Sequence, residues 1–348
     1  MVGRRVDRMP IRLVERRPEV SPDRLLSECV PPPRFAPVRF ETYRPDPAEP
    51  SQADALAVLV ERGRVLAEPR RQRSWWRRKP PAETLKPGIY LDGGFGVGKT
   101  HLLASLWHVS SGPKMYCTFV ELTNLVGALG MRSAVDALSA YRLICIDEFE
   151  LDDPGDTVLI SRLLRQLVEA GVQLAATSNT LPDKLGEGRF QAIDFLREIQ
   201  GLAGHFDVRR IDGPDYRHRG LPVAPEPWTD DAVERAAADR PDASCDHFVD
   251  LYRHLGELHP SKYGAFLDGV QAVGITDVRE LTDENIALRL VVLADRMYDR
   301  DLPLLHSGIS LDRLFPPEML KGGYRKKYLR ALSRLIALAH AGMDAPVR

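Results

Sequence analysis

Gly88-Ile-Tyr-Leu-Asp-Gly-Gly-Phe-Gly-Val-Gly-Lys-Thr-His-Leu-Leu103 is the stretch on which the reading of this chain turns. A short apolar strand pattern, Gly88–Leu91, gives way to clustered glycines and then to an apolar helical pattern from Lys99 to about Val109. Gly93 to Thr100 fits G-x-x-x-x-G-K-[ST] and sits between strand and helix, as that pattern requires. Glycines let backbone N–H groups turn inward around phosphate oxygens, and the helix N-terminus adds partial positive charge. Lys99 is expected to neutralise the β- and γ-phosphates and Thr100 to coordinate Mg²⁺ through its hydroxyl. Gly93, Gly94, Phe95, Gly96, Val97, Gly98, Lys99, Thr100 and His101 form the expected nucleotide-contacting set. A bare glycine-rich turn with an exposed lysine is the competing reading, and the strand–loop–helix context argues against it.

Downstream, Arg142-Leu-Ile-Cys-Ile-Asp147-Glu148-Phe149 reads as a buried strand ending in two acids. A parallel strand delivers its last residue to the sheet edge where the phosphate loop also lies. Asp147 is therefore the expected Mg²⁺ holder, through water, and Glu148 the base that orients the attacking water. The strand Leu174-Ala-Ala-Thr177 ends in Ser178-Asn179. Asn179 is expected to hydrogen-bond the γ-phosphate or the water, against a competing role as a turn residue before Leu181-Pro182. The guanine-reading pattern N-K-x-D is absent, which favours ATP over GTP.

Further strands are expected at Met115–Val120 and Phe206–Ile211, with helices at Glu121–Leu129 and about Asp156–Ala170. Strands alternating with helices imply a mostly parallel sheet covered on both faces. Ahead of this core, prolines at 31, 32, 33, 37, 45, 47 and 50 predict an extended strap, followed by a helix over Ser51–Glu68 with Ser51 as N-cap. Beyond it, Cys245–Leu258, Asp283–Tyr298 and Tyr324–His340 read as helices, and Gln271–Ile275 and Leu302–His306 as strands. The expected organisation is strap, helix and Arg/Trp stretch (1–86), phosphate-loop core (87–212), linker (213–242), and a C-terminal α/β segment completing or packing on the core (243–348). One faint internal echo exists: Ser307–Leu314 matches Ser178–Leu185 at Ser, Asp, a basic residue and Leu, and at that offset Val273–Ile275 falls opposite Ile144–Ile146. Chance suffices to explain it, but it suggests that the last strands extend the same sheet.

The 348 residues carry 48 basic and 49 acidic side chains, net −1, with 44% hydrophobic content, so neither a disordered chain nor a membrane protein is indicated. Four dispersed cysteines form no C-x-x-C pair, which argues against a zinc site or disulfide framework. No apolar run approaches a membrane span, and the arginine-rich N-terminus lacks a signal-peptide core. A cytoplasmic setting is the expectation. Bulk neutrality conceals residues 62–86, with nine basic and two acidic side chains around Trp75 and Trp76. Arginines interleaved with tryptophans suit either a weak anionic contact, nucleic acid or membrane surface, or packing on the protein's own core. A second basic cluster, Lys321, Arg325, Lys326, Lys327 and Arg330, reads as a solvated helix face.

With these motifs in place, the chain resembles the ZapE-type cell-division ATPases, bacterial relatives of the mitochondrial Afg-one ATPases within the AAA+ class. The likeness is carried by Gly88–Leu103, by Ala176-Thr-Ser-Asn179 with Pro182-Asp-Lys-Leu185, by Asp215-Tyr216-Arg217, and by Asp295-Arg-Met-Tyr298-Asp299 with Ser307 and Leu314-Phe315. It implies an α/β P-loop fold of the AAA+ type and Mg²⁺-dependent ATP hydrolysis. It further implies action on the FtsZ division polymer near the inner membrane surface, and leaves room for a nucleotide-dependent homo-oligomer. Gln191-Ala-Ile-Asp-Phe195 stands where that family commonly has an arginine-containing segment, so Arg189 and Arg197 become substitute arginine-finger candidates. Arg217 matches a sensor-2 or interdomain position. A DNA-associated helicase loader and a slow nucleotide-gated adaptor remain the alternatives.

Overall fold

The computed structural model describes residues 9–69, 86–94, 96–150, 154–180, 200–201, 203–213 and 223–344. Trp75, Trp76, Phe95, Arg189, Gln191–Phe195, Arg197 and Asp215–Arg217 lie outside the described residues. The chain divides into two compact units, residues 22–218 and residues 1–21 with 219–348.

In the first unit, five parallel strands, β1 (Gly88–Gly93), β2 (Lys114–Thr118), β3 (Leu143–Asp147), β4 (Gln173–Ser178) and β5 (Phe206–Ile211), lie in the order β2-β3-β4-β1-β5. β1 and β3 are buried along their whole length, because helices cover both faces. Alternation divides the core. Ile144, Ile146 and Tyr90 join the residues of α4 (Phe119–Leu129), α5 (Met131–Leu138) and α6 (Pro154–Glu169). Leu143, Cys145, Ile89 and Leu91 pack instead with α2 (Pro50–Ala67) and α3 (Lys99–Val109). Two expectations shift. α2 starts at Pro50 with Glu49 as N-cap, and the Ser51 hydroxyl instead accepts from the Asp212 N–H at 2.8 Å. The strap is broken by a short helix, α1 (Pro22–Ser27), and Cys29 lends its carbonyl to the Tyr116 N–H on the outer edge of β2.

The second unit holds a sheet of its own, so the expectation that the last strands extend the first sheet is corrected. β6 (Ala243–His247), β7 (Ala272–Val278) and β8 (Leu304–Gly308) run parallel in that order. α7 (Asp230–Ala238) covers one face through Val233, Ala236 and Ala237 against Ala243, Cys245, Ala272 and Leu305. It falls inside the stretch read as a linker. The other face carries α8 (Phe248–Glu257), the short α9 (Tyr263–Phe266), α10 (Glu284–Asp299) and α11 (Arg325–Asp344). β6 was read as the start of a helix; its residues are small or polar, and Asp246 is buried because the Leu13 N–H, Val14 N–H and Arg12 guanidinium bind its carboxylate.

Arg330 is not part of a solvated face. It reaches Asp295 on α10 at 2.7 Å, and Arg334 binds the same carboxylate. Burial opposes that charge, but the two guanidiniums hold the Asp295 carboxyl below its ordinary range. His306 on β8 is only 4% exposed with its Nε2 unpartnered, and burial pushes its pKa from 6.5 down to about 4. A base with a depressed folded pKa contributes stability that is complete above its unfolded value and is lost as pH falls toward the folded one. The loss between pH 6.5 and 4 is roughly 3 kcal/mol at its limit. His306→Leu should flatten the acid side of the melting profile in that window; an unchanged profile would place the acid sensitivity elsewhere.

Candidate functional site

The loop after β1 emerges where three strand ends meet. Gly96 and Gly98 take left-handed backbone angles, φ 81° and 87°, which a glycine adopts without steric cost. At Gly98 a side chain is excluded twice over, since a Cβ there would lie 2.4 Å from the Tyr43 ring. The Tyr43 hydroxyl donates to the Val97 carbonyl at 2.8 Å, so the strap clamps the loop from outside. His101 faces the same segment. Its Nε2 lies 2.9 Å from Thr42 Oγ1 and 3.0 Å from the Arg39 carbonyl, which gives it a strap-binding position on α3.

Lys99 begins α3 and is buried. Its ammonium donates to the Gly93 carbonyl at 2.8 Å, to the Gly94 carbonyl, and to Asn179 Oδ1 at 3.0 Å. The lysine, the loop and the end of β4 are thereby brought together. Asn179 donates through Nδ2 to Glu150 Oε1 at 3.3 Å. Glu150 is buried, and nothing in the sequence marks it, because it lies outside the two-acid pattern at the strand end.

Asp147 terminates β3, two strands away from β1 in the sheet. Thr100 Oγ1 donates to its Oδ1 at 3.3 Å, the buried Tyr116 hydroxyl donates to Oδ2 at 2.9 Å, and the Thr177 hydroxyl also donates to Oδ1. Tyr116 and Thr177 went unrecognised in the sequence, since each lies on a neighbouring strand and only pairing places it beside the carboxylate. Burial first, and the Asp147 carboxylate second, push the Tyr116 phenol well above its ordinary pKa, so it stays a donor. One hydroxyl and one carboxylate, both hard oxygen donors 3.3 Å apart, fit a Mg²⁺ ion that keeps most of its waters.

Glu148 follows with φ 55°, and its N–H is tied to Asp147 Oδ1 at 3.1 Å and to Thr177 Oγ1 at 3.0 Å. The Phe149 N–H then returns to the Thr177 carbonyl at 2.7 Å. A left-handed residue other than glycine is uncommon and strained, and such residues gather at functional sites. Beneath the loop, Asp92 on β1 is buried with Arg210 3.7 Å away; burial raises its pKa, partly countered by Arg210 and Lys99.

A parallel sheet with a glycine loop after its β1 strand, a lysine at the helix start and an acid at the end of β3 is the arrangement of a phosphate-loop nucleotide-binding protein. The chain matches the AFG1-like ATPase family over residues 19–241 and 234–345, and it belongs to that family. It is 33% identical over 162 residues to the cell division protein ZapE of Escherichia coli K12, covering 43% of this chain and 43% of that protein. An uncharacterized protein of Schizosaccharomyces pombe is 28% identical over 155 residues, covering 39% of this chain and 34% of that protein. The matched stretch is thus less than half the length of these relatives. Domain III of the Thermotoga maritima replication initiation protein DnaA superposes with a TM-score of 0.39 at 15% identity, covering 87% of this chain and 98% of that one. No described helix is long and apolar enough to cross a membrane.

Proposed function

We propose that this chain hydrolyses ATP with Mg²⁺ and couples the cycle to remodelling of a protein partner, with the FtsZ division polymer as the partner to test. The observation that carries the first half is the convergence of Lys99, Asn179, Thr100 and Asp147 on one sheet edge, with Lys99 Nζ 3.0 Å from Asn179 Oδ1. Lys99 exchanges its carbonyl and amide partners for the β- and γ-phosphates, and the loop N–H groups bind the phosphate oxygens. Thr100 and Asp147 hold the Mg²⁺, which when bound offsets charge on the phosphates. Glu148 takes a proton from the attacking water, and Asn179 orients that water or the γ-phosphate. Little covalent work falls to the protein: positioning and charge supply the acceleration.

The second half rests on the kinship with a cell division protein and on the resemblance carried by the motifs. The experiment is co-sedimentation of FtsZ polymer with the chain in the presence and absence of ATP, using Glu148→Gln to hold the ATP-bound form. ATP-dependent recovery in the pellet, stronger for the variant, is the expected result. Equal recovery with and without ATP would remove the coupling of FtsZ binding to the cycle, and no recovery would remove FtsZ as the partner; either leaves the ATPase reading to be judged by phosphate release.

A further inference from the structure

The internal echo between Ser178–Leu185 and Ser307–Leu314 proves to be the end of a much longer correspondence. β2 pairs with β3 from Lys114↔Leu143 to Thr118↔Asp147, and β6 pairs with β7 from Ala243↔Ala272 to His247↔Thr276. Each residue of the second pairing lies 129 positions after its counterpart in the first, with no gap. At the same offset Phe119 and Phe248 open α4 and α8, and Val120, Leu122 and Gly127 reappear as Val249, Leu251 and Gly256. Ahead of them, the window of α3 (Lys99–Val109) falls on α7 (Asp230–Ala238), with Thr100 matched by Thr229. One residue is gained before the third strand, since Ile144↔Leu174 becomes Val273↔Leu304.

Right-handed crossovers make a shared strand order unremarkable in any two α/β units. The finer details are not required by topology. Glu148 and Asp277, again 129 apart, are both acids in the left-handed region, at φ 55° and 53°. The Glu148 N–H donates to the Thr177 hydroxyl at 3.0 Å, and the Asp277 N–H to the Ser307 hydroxyl at 2.9 Å, which is where the extra residue puts it. On the outer edges, the Tyr116 N–H is bound by the Cys29 carbonyl at 2.9 Å, and its counterpart, the Cys245 N–H, by the Ile11 carbonyl at 3.0 Å.

The correspondence breaks where phosphate chemistry would sit. Gly93–Thr100 falls on Pro222-Val-Ala-Pro-Glu-Pro-Trp-Thr229, so Gly96 and Gly98 give way to Pro225 and Pro227, and Lys99 to Trp228. Proline has no N–H to offer a phosphate and cannot take a positive φ. The Trp228 N–H is spent on the His306 carbonyl at 2.9 Å. Thr276 stands in the place of Asp147. The strand-end groups satisfy one another. Asp230 accepts from the Ser307 hydroxyl and the Asp277 N–H, while Asp277 accepts from Arg279 and pairs with His247 at 3.2 Å.

We infer that residues 228–314 are a degenerate second copy of the chain's own nucleotide-binding half, with the phosphate site replaced by internal contacts, so that each chain carries one nucleotide site and one nucleotide-blind copy. The stoichiometry rests on the ATP reading above. It is tested on the full chain by calorimetric titration with a non-hydrolysable ATP analogue and Mg²⁺, for wild type and Lys99→Ala, with hydrogen exchange measured on the same samples. One equivalent per chain is expected, at least ~30-fold weaker in Lys99→Ala. Protection should appear in residues 93–103, 143–150 and 173–180, and none in 226–232, 272–279 and 304–309. Two equivalents, or saturable binding with protection of the second set that survives Lys99→Ala, would overturn the inference while leaving ATP binding intact. Absence of any binding by the wild type would instead refute the proposed function, and the single live site with it.

Discussion

Glu148→Gln is expected to bind ATP as the wild type does and to hydrolyse it at least ~10²-fold more slowly, the usual scale for loss of a general base. Glutamine keeps the length and shape of the side chain, and the hydrogen bonds of the residue's own N–H do not involve its carboxylate. The φ of 55° is set by the N–H bonds to Asp147 Oδ1 and Thr177 Oγ1 and by the return of the Phe149 N–H to the Thr177 carbonyl. The substitution therefore removes the proton acceptor with little change in the loop or the metal ligands. Single-turnover phosphate release, read beside analogue binding, separates the two effects. Near-normal turnover would move the base elsewhere, and the buried Glu150, which accepts from Asn179 Nδ2 at 3.3 Å, would be the next variant to measure.

Lys99→Ala acts one step earlier. The ammonium is the buried cation that already links the Gly93 and Gly94 carbonyls to Asn179. Removing one partner of a buried, hydrogen-bonded charge pair costs about 2–5 kcal/mol, so ATP affinity should fall by about 30- to 5,000-fold. The same change leaves two carbonyls without their donor. A thermal melt without nucleotide therefore has to accompany the binding curve. An unchanged melt with lost affinity assigns the effect to phosphate binding; full affinity in a folded variant would refute the phosphate role of Lys99.

Much of the first unit is legible in the sequence. Leu143–Ile146, Leu174–Ala176 and Ile89–Leu91 are apolar runs bounded by polar or glycine residues, which is what a strand buried on both faces requires. The phosphate loop was legible because its work is done by backbone conformation, and only glycines permit that conformation. By contrast, β6 reads Ala-Ser-Cys-Asp-His and gives no apolar signal. Its burial depends on partners more than 200 positions away in sequence, the Leu13 N–H above all. Arg330 misled for the same reason: a basic residue among basic residues looks solvated until Asp295 is found opposite.

The sequence by itself determined the chemistry that local spacing encodes: a strand, a glycine loop, a lysine and threonine at a helix start, and an acid pair at a strand end. Only the tertiary structure decided that the last strands form a separate sheet, that Tyr116 and Thr177 bind the strand-end acids while Glu150 meets Asn179, and that Tyr43 clamps the loop. It also decided that the echo in the C-terminal segment runs through the whole strand pairing. A motif is a local property and survives as letters. Strand register and hydrogen-bond partners are properties of distant segments brought together, and the second copy shares them even where its residues have diverged.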